Sequence, residues 1–247
     1  MNVKSILNMG MRRIIFGKKA SSKTYINYLK SKGFHIGENV NIYGVNHVQI
    51  DDLNPHLLEI GNNVEITWGC TILSHDYSWS VYKAMTGEIV GNMKKTTIGN
   101  NVFLGTGSTI LGGTNIGDNV IIGAGAVVSG LVEANSVYVG VPARRICSIE
   151  EFMSKRKEKQ LSEAVEIFVN YYKCFKRVPD KSRFHEYFAL FTGKKTDIQN
   201  LTPVFNRKLS LCMNREKSLE WINHNEAPFD NYDDFVNYCL SYITKNS

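Results

Sequence analysis

Residues 98–130 read IGNNVFLGTGSTILGGTNIGDNVIIGAGAVVSG, and their spacing decides the fold. Aliphatic residues recur at every sixth position, as Ile98, Leu104, Ile110, Ile116, Ile122 and Val128. Four positions after each of the first five stands a small or β-branched residue: Val102, Ser108, Thr114, Val120 and Ala126. Six is a multiple of the strand period and not of the helical one, so each aliphatic side chain falls on the same face of successive short strands. An amphipathic helix is excluded. A lone short strand cannot bury its aliphatic residue, whereas stacked coils put all of them into one column.

The rhythm extends upstream, as Ile36, Ile42 and Val48 and then Ile60, Ile66 and Ile72. Gly37, Gly61, Gly99, Gly105, Gly117 and Gly123 each follow an aliphatic, and are expected to serve corners that need unusual backbone dihedrals. Three hexads make one triangular turn, so residues 34–140 predict about five coils interrupted by insertions. The spacing gives no handedness.

The run 98–130, followed by VYVGVPARRI, resembles the final coils of the hexapeptide-repeat acyltransferases, among them sugar and polysaccharide O-acetyltransferases. The resemblance covers residues 30–147 and implies a left-handed parallel β-helix, acetyl-CoA as donor and a homotrimer. It also implies places for the chemistry. Acetyl transfer to a hydroxyl needs a base, a positioned thioester and a donor to the oxyanion. His75, in TILSHDYSW where the coil rhythm breaks, matches the family's catalytic histidine, and Asp76 or Glu88 is a candidate to orient it. Along the final coils Gly105, Thr106, Gly123, Ala124 and Ser129 match positions that line coenzyme A, and Arg144 the basic residue at its nucleotide end. Asn46 resembles an acceptor-binding asparagine.

The inserted loop 74–96 carries Tyr77, Trp79 and Tyr82, rings suited to stacking on sugar faces, while folding over a neighbouring subunit is the plainer alternative. Two departures from the family stand out: Phe103 where relatives carry a tryptophan, and Gly130 where they carry a lysine. The leading expectation is an acetyl-CoA-dependent O-acetyltransferase acting on a sugar hydroxyl of a surface polysaccharide or its precursor. Its alternatives are an N-acetyltransferase of an amino sugar nucleotide, a xenobiotic or serine O-acetyltransferase, and a β-helix scaffold without activity. A zinc enzyme on the same fold ranks low, because His47, His56 and His75 lack close pairing, and no metal is expected.

Around the repeat, residues 1–30 are expected to be helical, and 148–247 a helical extension after the β-helix of 31–147. In the extension, Leu161, Ala164, Val165, Ile167, Phe168, Tyr171, Tyr172 and Phe175 fall on one helical face closed by Pro179. The aromatic residues that follow are expected to be core. Lys4, Ile6, Leu7, Arg12, Arg13, Ile14, Ile15, Phe16, Lys18 and Lys19 make residues 1–20 a candidate for peripheral membrane contact, though neither a signal peptide nor a span is evident. Five scattered cysteines argue against a disulfide framework and suit a cytoplasmic location. The net charge of +6 points to an anionic partner, but no nucleic-acid motif accompanies it.

Overall fold

The columns foreseen in the sequence are those on which the chain stacks. In the computed structural model, which describes residues 11–193 and 201–245, three parallel sheets form the faces of a triangular coil. The first face holds the strands His35–Ile36, Leu58–Ile60, Thr96–Ile98, Asn115–Ile116 and Leu131–Val132. The second holds Asn41–Ile42, Val64–Ile66, Val102–Leu104, Val120–Ile122 and Ser136–Val139, and ends on an antiparallel strand, Arg144–Ser148. On the third lie Gln49–Ile50, Thr71–Ile72, Thr109–Ile110 and Val127–Val128. Hydrogen-bonded neighbours are three strands apart in sequence, which is the signature of a parallel β-helix with three strands per turn.

Register places Ile98 between Ile60 and Ile116, Leu104 between Ile66 and Ile122, and Ile110 between Ile72 and Val128. All of these side chains are buried, each contributing about 1.5–3 kcal/mol of burial free energy. The N-terminal end of this core is covered by the helix Ser22–Ser31, whose Tyr25 and Leu29 join the same cluster. Ser21 begins that helix by accepting a hydrogen bond from the Thr24 N–H at 3.1 Å. Residues 11–16 are also helical, with Ile14 and Ile15 exposed, whereas Lys4, Ile6 and Leu7 lie outside the described residues.

Two sequence expectations about the coil need correction. Val48 is not the third member of the aliphatic column, because the 3-10 turn Val45–His47 adds two residues and brings Ile50 against Ile72. Val48 instead fills the small-residue column, level with Cys70. The glycines that follow the aliphatics also act differently from the expectation, since they allow close approach and do not adopt left-handed dihedrals. A Cβ on Gly61 would stand 2.6 Å from the Gly99 carbonyl oxygen.

The left-handed dihedrals of the corner between the first and second faces belong to Asn39, Asn63, Asn101, Asn119 and Asn135, with φ of 55–58°. Asparagine tolerates this region better than other non-glycine residues. Their amides form a continuous ladder, each Nδ2 donating to the Oδ1 of the next at 2.8–2.9 Å. One residue type thus serves the turn and links five coils.

The chain divides into two compact units, residues 1–152 and 153–247. In the second, Phe235 lies within 5.1–6.1 Å, ring centre to ring centre, of Phe168, Phe184, Phe191, Phe229 and Tyr232. These aromatics are core, while Trp221 is exposed. On the long helix Ile149–Phe175, Ala164, Val165 and Phe168 are buried, whereas Ile167 and Phe175 face solvent, contrary to the expected stripe. Pro179 does not close this helix. It ends at Phe175, and Lys176 follows with φ of 52°, a left-handed stop. All five cysteines are free thiols, and among the described residues no helix is long and apolar enough to cross a membrane.

Candidate active site

The three corners of the coil carry different chemistry. The corner from the third face to the first is where insertions leave the coil, at residues 51–57 and again at 73–95. His75 sits at the base of the second insertion, one coil above Asp51, which begins the first. The imidazole Nδ1 and Asp51 Oδ2 are 2.5 Å apart. The same carboxylate accepts hydrogen bonds from the Ser74 hydroxyl and from the Ser74 N–H at 3.2 Å, and its Oδ1 accepts the Leu53 N–H at 3.3 Å.

Burial alone would push the Asp51 carboxyl up. The hydrogen bonds from Ser74, His75 and the backbone outweigh it and hold the group below its usual value. An ionised carboxylate only accepts, so the Nδ1 that faces it carries the proton and Nε2 is left as an acceptor. That is the tautomer a general base requires.

Asp51 is the partner of His75 that sequence reasoning missed. Asp76, one of the two candidates for this role, is a surface group that accepts from Ser78 Oγ at 2.6 Å, Ser78 N–H at 2.9 Å and Asn92 Nδ2 at 2.5 Å. These bonds, Ser78's first, lower its pKa. Together with the Lys94 N–H to Ser74 carbonyl bond at 2.9 Å, they pin the two ends of the loop together beside His75. Glu88, the other candidate, lies exposed beyond the helix Trp79–Thr86, which forms the body of the loop.

Tyr77 meets the His75 ring edge-on at 5.3 Å, and Trp79 lies 5.9 Å from Tyr77. Tyr82 is one helical turn beyond Trp79 and exposed. The helix buries none of its residues, and Val81, Met85, Ile89, Val90 and Met93 of the arm are all exposed. Ser129, expected on the cofactor path, stands on this same corner, two coils above His75.

Of the remaining expected cofactor residues, Gly105, Thr106, Gly123 and Ala124 share the corner between the second and third faces. Gly105 and Thr106 lie directly beneath Gly123 and Ala124: a Cβ on Gly105 would be 2.6 Å from the Ala124 nitrogen. The Thr106 carbonyl accepts the Gly125 N–H at 2.8 Å. Among the described residues the N–H groups of Thr106 and Ala124 meet no acceptor, so this edge presents backbone donors. Asn46 belongs to the same corner in the first coil, with Trp68 between it and Thr106. Arg144 is exposed at the end of the last coil, where its Nη1 donates to the Ala143 carbonyl at 2.9 Å. Its neighbour Arg145 pairs with Glu133 at 3.5 Å. Phe103 projects from the second face between Glu65 and Ile121, half exposed.

His75 and the Thr106–Ala124 edge therefore lie on different corners of one chain. His47, His56 and His75 are not brought together, and among the described residues no three histidine, cysteine or acidic side chains form a metal-holding group.

Comparison with known proteins follows the same coils. The family model described as bacterial transferase hexapeptide (six repeats) matches residues 95–130. The chain is 40% identical over 127 residues to Protein CapG of Staphylococcus aureus, covering 51% of this chain and 73% of that one. A hexapeptide-repeat acetyltransferase of Vibrio cholerae superposes over 57% of this chain and 88% of its own, at 19% identity and a TM-score of 0.42. For a maltose O-acetyltransferase of Clostridium difficile the coverage is 59% and 87%, at 24% identity and a TM-score of 0.39. With its columns of aliphatic hexads, the family match on its central coils and a relative matched over almost three quarters of its length, the chain belongs to the bacterial hexapeptide-repeat transferases.

Proposed function

We propose that this protein is an acetyl-CoA-dependent O-acetyltransferase whose acceptor is a sugar hydroxyl of a surface polysaccharide or its precursor, with His75 as general base. The observation that carries this reading is the Asp51–His75 pair at the foot of the inserted loop. Nε2 of His75 takes the proton of the acceptor hydroxyl as its oxygen attacks the thioester carbonyl, and Asp51 stabilises the imidazolium that forms. The oxyanion is met by a backbone N–H of the Thr106–Ala124 edge. Collapse of the tetrahedral adduct releases coenzyme A as its thiol, which recovers the proton from His75. Both substrates are bound together and no acetyl-enzyme forms.

The donor fits the residues present. Pantetheine is an extended chain of amides that pairs with the free Ala124 N–H past the small residues Gly105 and Gly123, leaving the Thr106 N–H to the oxyanion, and Arg144 meets the nucleotide phosphates. Ser129 lies on the other corner and serves the acceptor side in this reading. Because donor edge and base occupy different corners, each site combines the base of one chain with the donor edge of the next, in a cyclic trimer. The exposed apolar arm of residues 77–93 supports the same assembly, since it offers Val81, Met85, Ile89 and Val90 to a neighbour. Asn46, Tyr77, Trp79 and Tyr82 then bound the acceptor.

Acetyl-CoA binding by calorimetry, followed by release of coenzyme A thiol with sugar acceptors, tests the reading. Arg144→Ala is expected to weaken acetyl-CoA binding about tenfold, by loss of a charge-assisted hydrogen bond. His75→Ala is expected to keep binding and lose transfer. No binding at millimolar acetyl-CoA overturns the proposal.

A further inference from the structure

Below the donor edge, on the same corner, the coil opens into a hollow of about 570 Å³ bounded by Arg12, Asn46, His47 and Trp68, with Ser21 and Ser22 closing one side. Of its lining only Asn46 was legible in the sequence, yet the construction is specific. Trp68 stands on a coil corner and is 52% exposed. Its indole lies over Gly44, where a Cβ would come within 2.4 Å of Cδ1, so glycine at 44 is what lets the ring lie flat. The His47 ring stands 4.9 Å from it, tilted by 35°. Arg12 is anchored by donating from Nε to the Ala20 carbonyl at 3.1 Å. The lining contains an arginine and a histidine and no carboxylate.

We infer that this hollow is the acceptor subsite for a sugar ring bearing an anionic group, the ring stacked on Trp68 and its carboxylate or phosphate held by Arg12 and His47. The volume falls within the roughly 300–1,000 Å³ typical of small-molecule sites. An exposed indole offers an apolar face to the axial hydrogens of a pyranose, and a guanidinium pairs with a planar carboxylate or a phosphate through two parallel N–H bonds. Asn46, at the rim, supplies an amide to a ring hydroxyl. Trp68 stands two residues after Ile66, as Thr106 stands after Leu104 and Ala124 after Ile122, so the hollow continues the line along which the donor is placed. The inference rests on the transferase reading for calling the ligand an acceptor, but not for its binding.

The test is therefore binding without catalysis. Methyl glucuronide, methyl glucoside and glucose 1-phosphate are titrated into the full chain, with calorimetry as the readout, in wild type, Arg12→Gln, Trp68→Leu and Trp68→Tyr. The two anionic sugars are expected to bind at least about tenfold more tightly than the neutral glucoside. Their ratio to each other separates a carboxylate-bearing from a phosphate-bearing acceptor. Arg12→Gln should erase the anionic preference and leave glucoside binding unchanged. Trp68→Leu should weaken all three, and Trp68→Tyr should restore most of the loss. Equal affinity for neutral and anionic sugars, indifference to Trp68→Leu in a protein that melts like wild type, or displacement of glucuronide by coenzyme A overturns the inference. Anionic sugar binding without acetyl transfer sinks the transferase reading alone, and transfer unaffected by Arg12→Gln sinks the subsite alone.

Discussion

Replacing Asp51 by asparagine is the sharpest test of the arrangement around His75. Asparagine has nearly the same volume, and its carbonyl oxygen can still accept from the Ser74 hydroxyl and N–H, so the buried corner keeps its packing. What disappears is the charge facing Nδ1 at 2.5 Å. A hydrogen bond to a charged group is worth about 1.5–3 kcal/mol. At about 1.36 kcal/mol per tenfold, loss of the charge slows transfer by roughly 10- to 150-fold. If the amide turns its NH₂ toward the ring, Nδ1 must accept, Nε2 carries the proton and the base is absent. The cost then approaches the roughly ten-thousandfold seen when the aspartate of a Ser-His-Asp triad becomes asparagine.

The assay is coenzyme A thiol release at saturating acetyl-CoA and acceptor, with acetyl-CoA affinity measured separately and expected to be unchanged. A kcat within about threefold of wild type in a protein that melts normally would refute the role given to Asp51. The same variant has an acid-stability signature. Asp51 is held below its unfolded value, so the ionised group contributes stability above about pH 4 that is lost as pH falls through the folded value. The amide of Asp51→Asn does not titrate, and the fall in stability below about pH 4 should be shallower in the variant.

Two further outcomes concern the coil itself. Asn101→Ala removes a rung bonded on both sides and forces φ of 55° on a residue that resists it, a loss of about 2–3 kcal/mol in urea unfolding; Asn101→Gly keeps the dihedral and should lose about 1 kcal/mol less, and equal losses would show that the left-handed turn costs nothing. Gly61→Ala drives a Cβ into the Gly99 carbonyl and should cost upward of about 3 kcal/mol, whereas Gly107→Ala, with φ of 70° but open space, should cost about 1 kcal/mol, so thermal melts in the reverse order would refute the distinction between the two kinds of glycine.

The coil was legible because it is built from a local rule repeated. The period of six fixes which residue is inward, stacking fixes its neighbours, and Ile98 through Val128 obey both without interruption. His75 was legible because it breaks the rule. Asp51 was hidden by register. Reading Val48 as the third hexad of the first coil places Asp51 two residues out of step, whereas aligning Ile50 with Ile72 puts Asp51 beneath the residues that lead to His75. A 3-10 turn of three residues makes that difference, and nothing in the period announces it. The glycines misled for a related reason. Periodicity shows that a position admits only glycine, but not whether a dihedral or a neighbouring carbonyl excludes the side chain, and here asparagine had taken the dihedral.

The separation of base and donor edge leads to an experiment that turns on counting. Between the Thr106 corner and the next lies the strand Thr109–Ile110 with its flanking residues, about four residues at ~3.3 Å, or roughly 13 Å. Attack requires about 3–3.5 Å between reacting atoms. A single coil, rigid through its stacked strands, does not close that gap, and for this reason the proposed site draws on the corner of a second chain. Mixing two inactive variants reads this directly: His75→Ala, which keeps its donor edge, and Ala124→Trp, which keeps its base but blocks the edge. In a cyclic trimer reassembled from equal amounts, three quarters of the molecules are mixed, and each mixed trimer has one of three interfaces with both intact halves. About a quarter of wild-type activity should return. If base and donor edge act within one chain, every site carries one of the two lesions and mixing restores nothing.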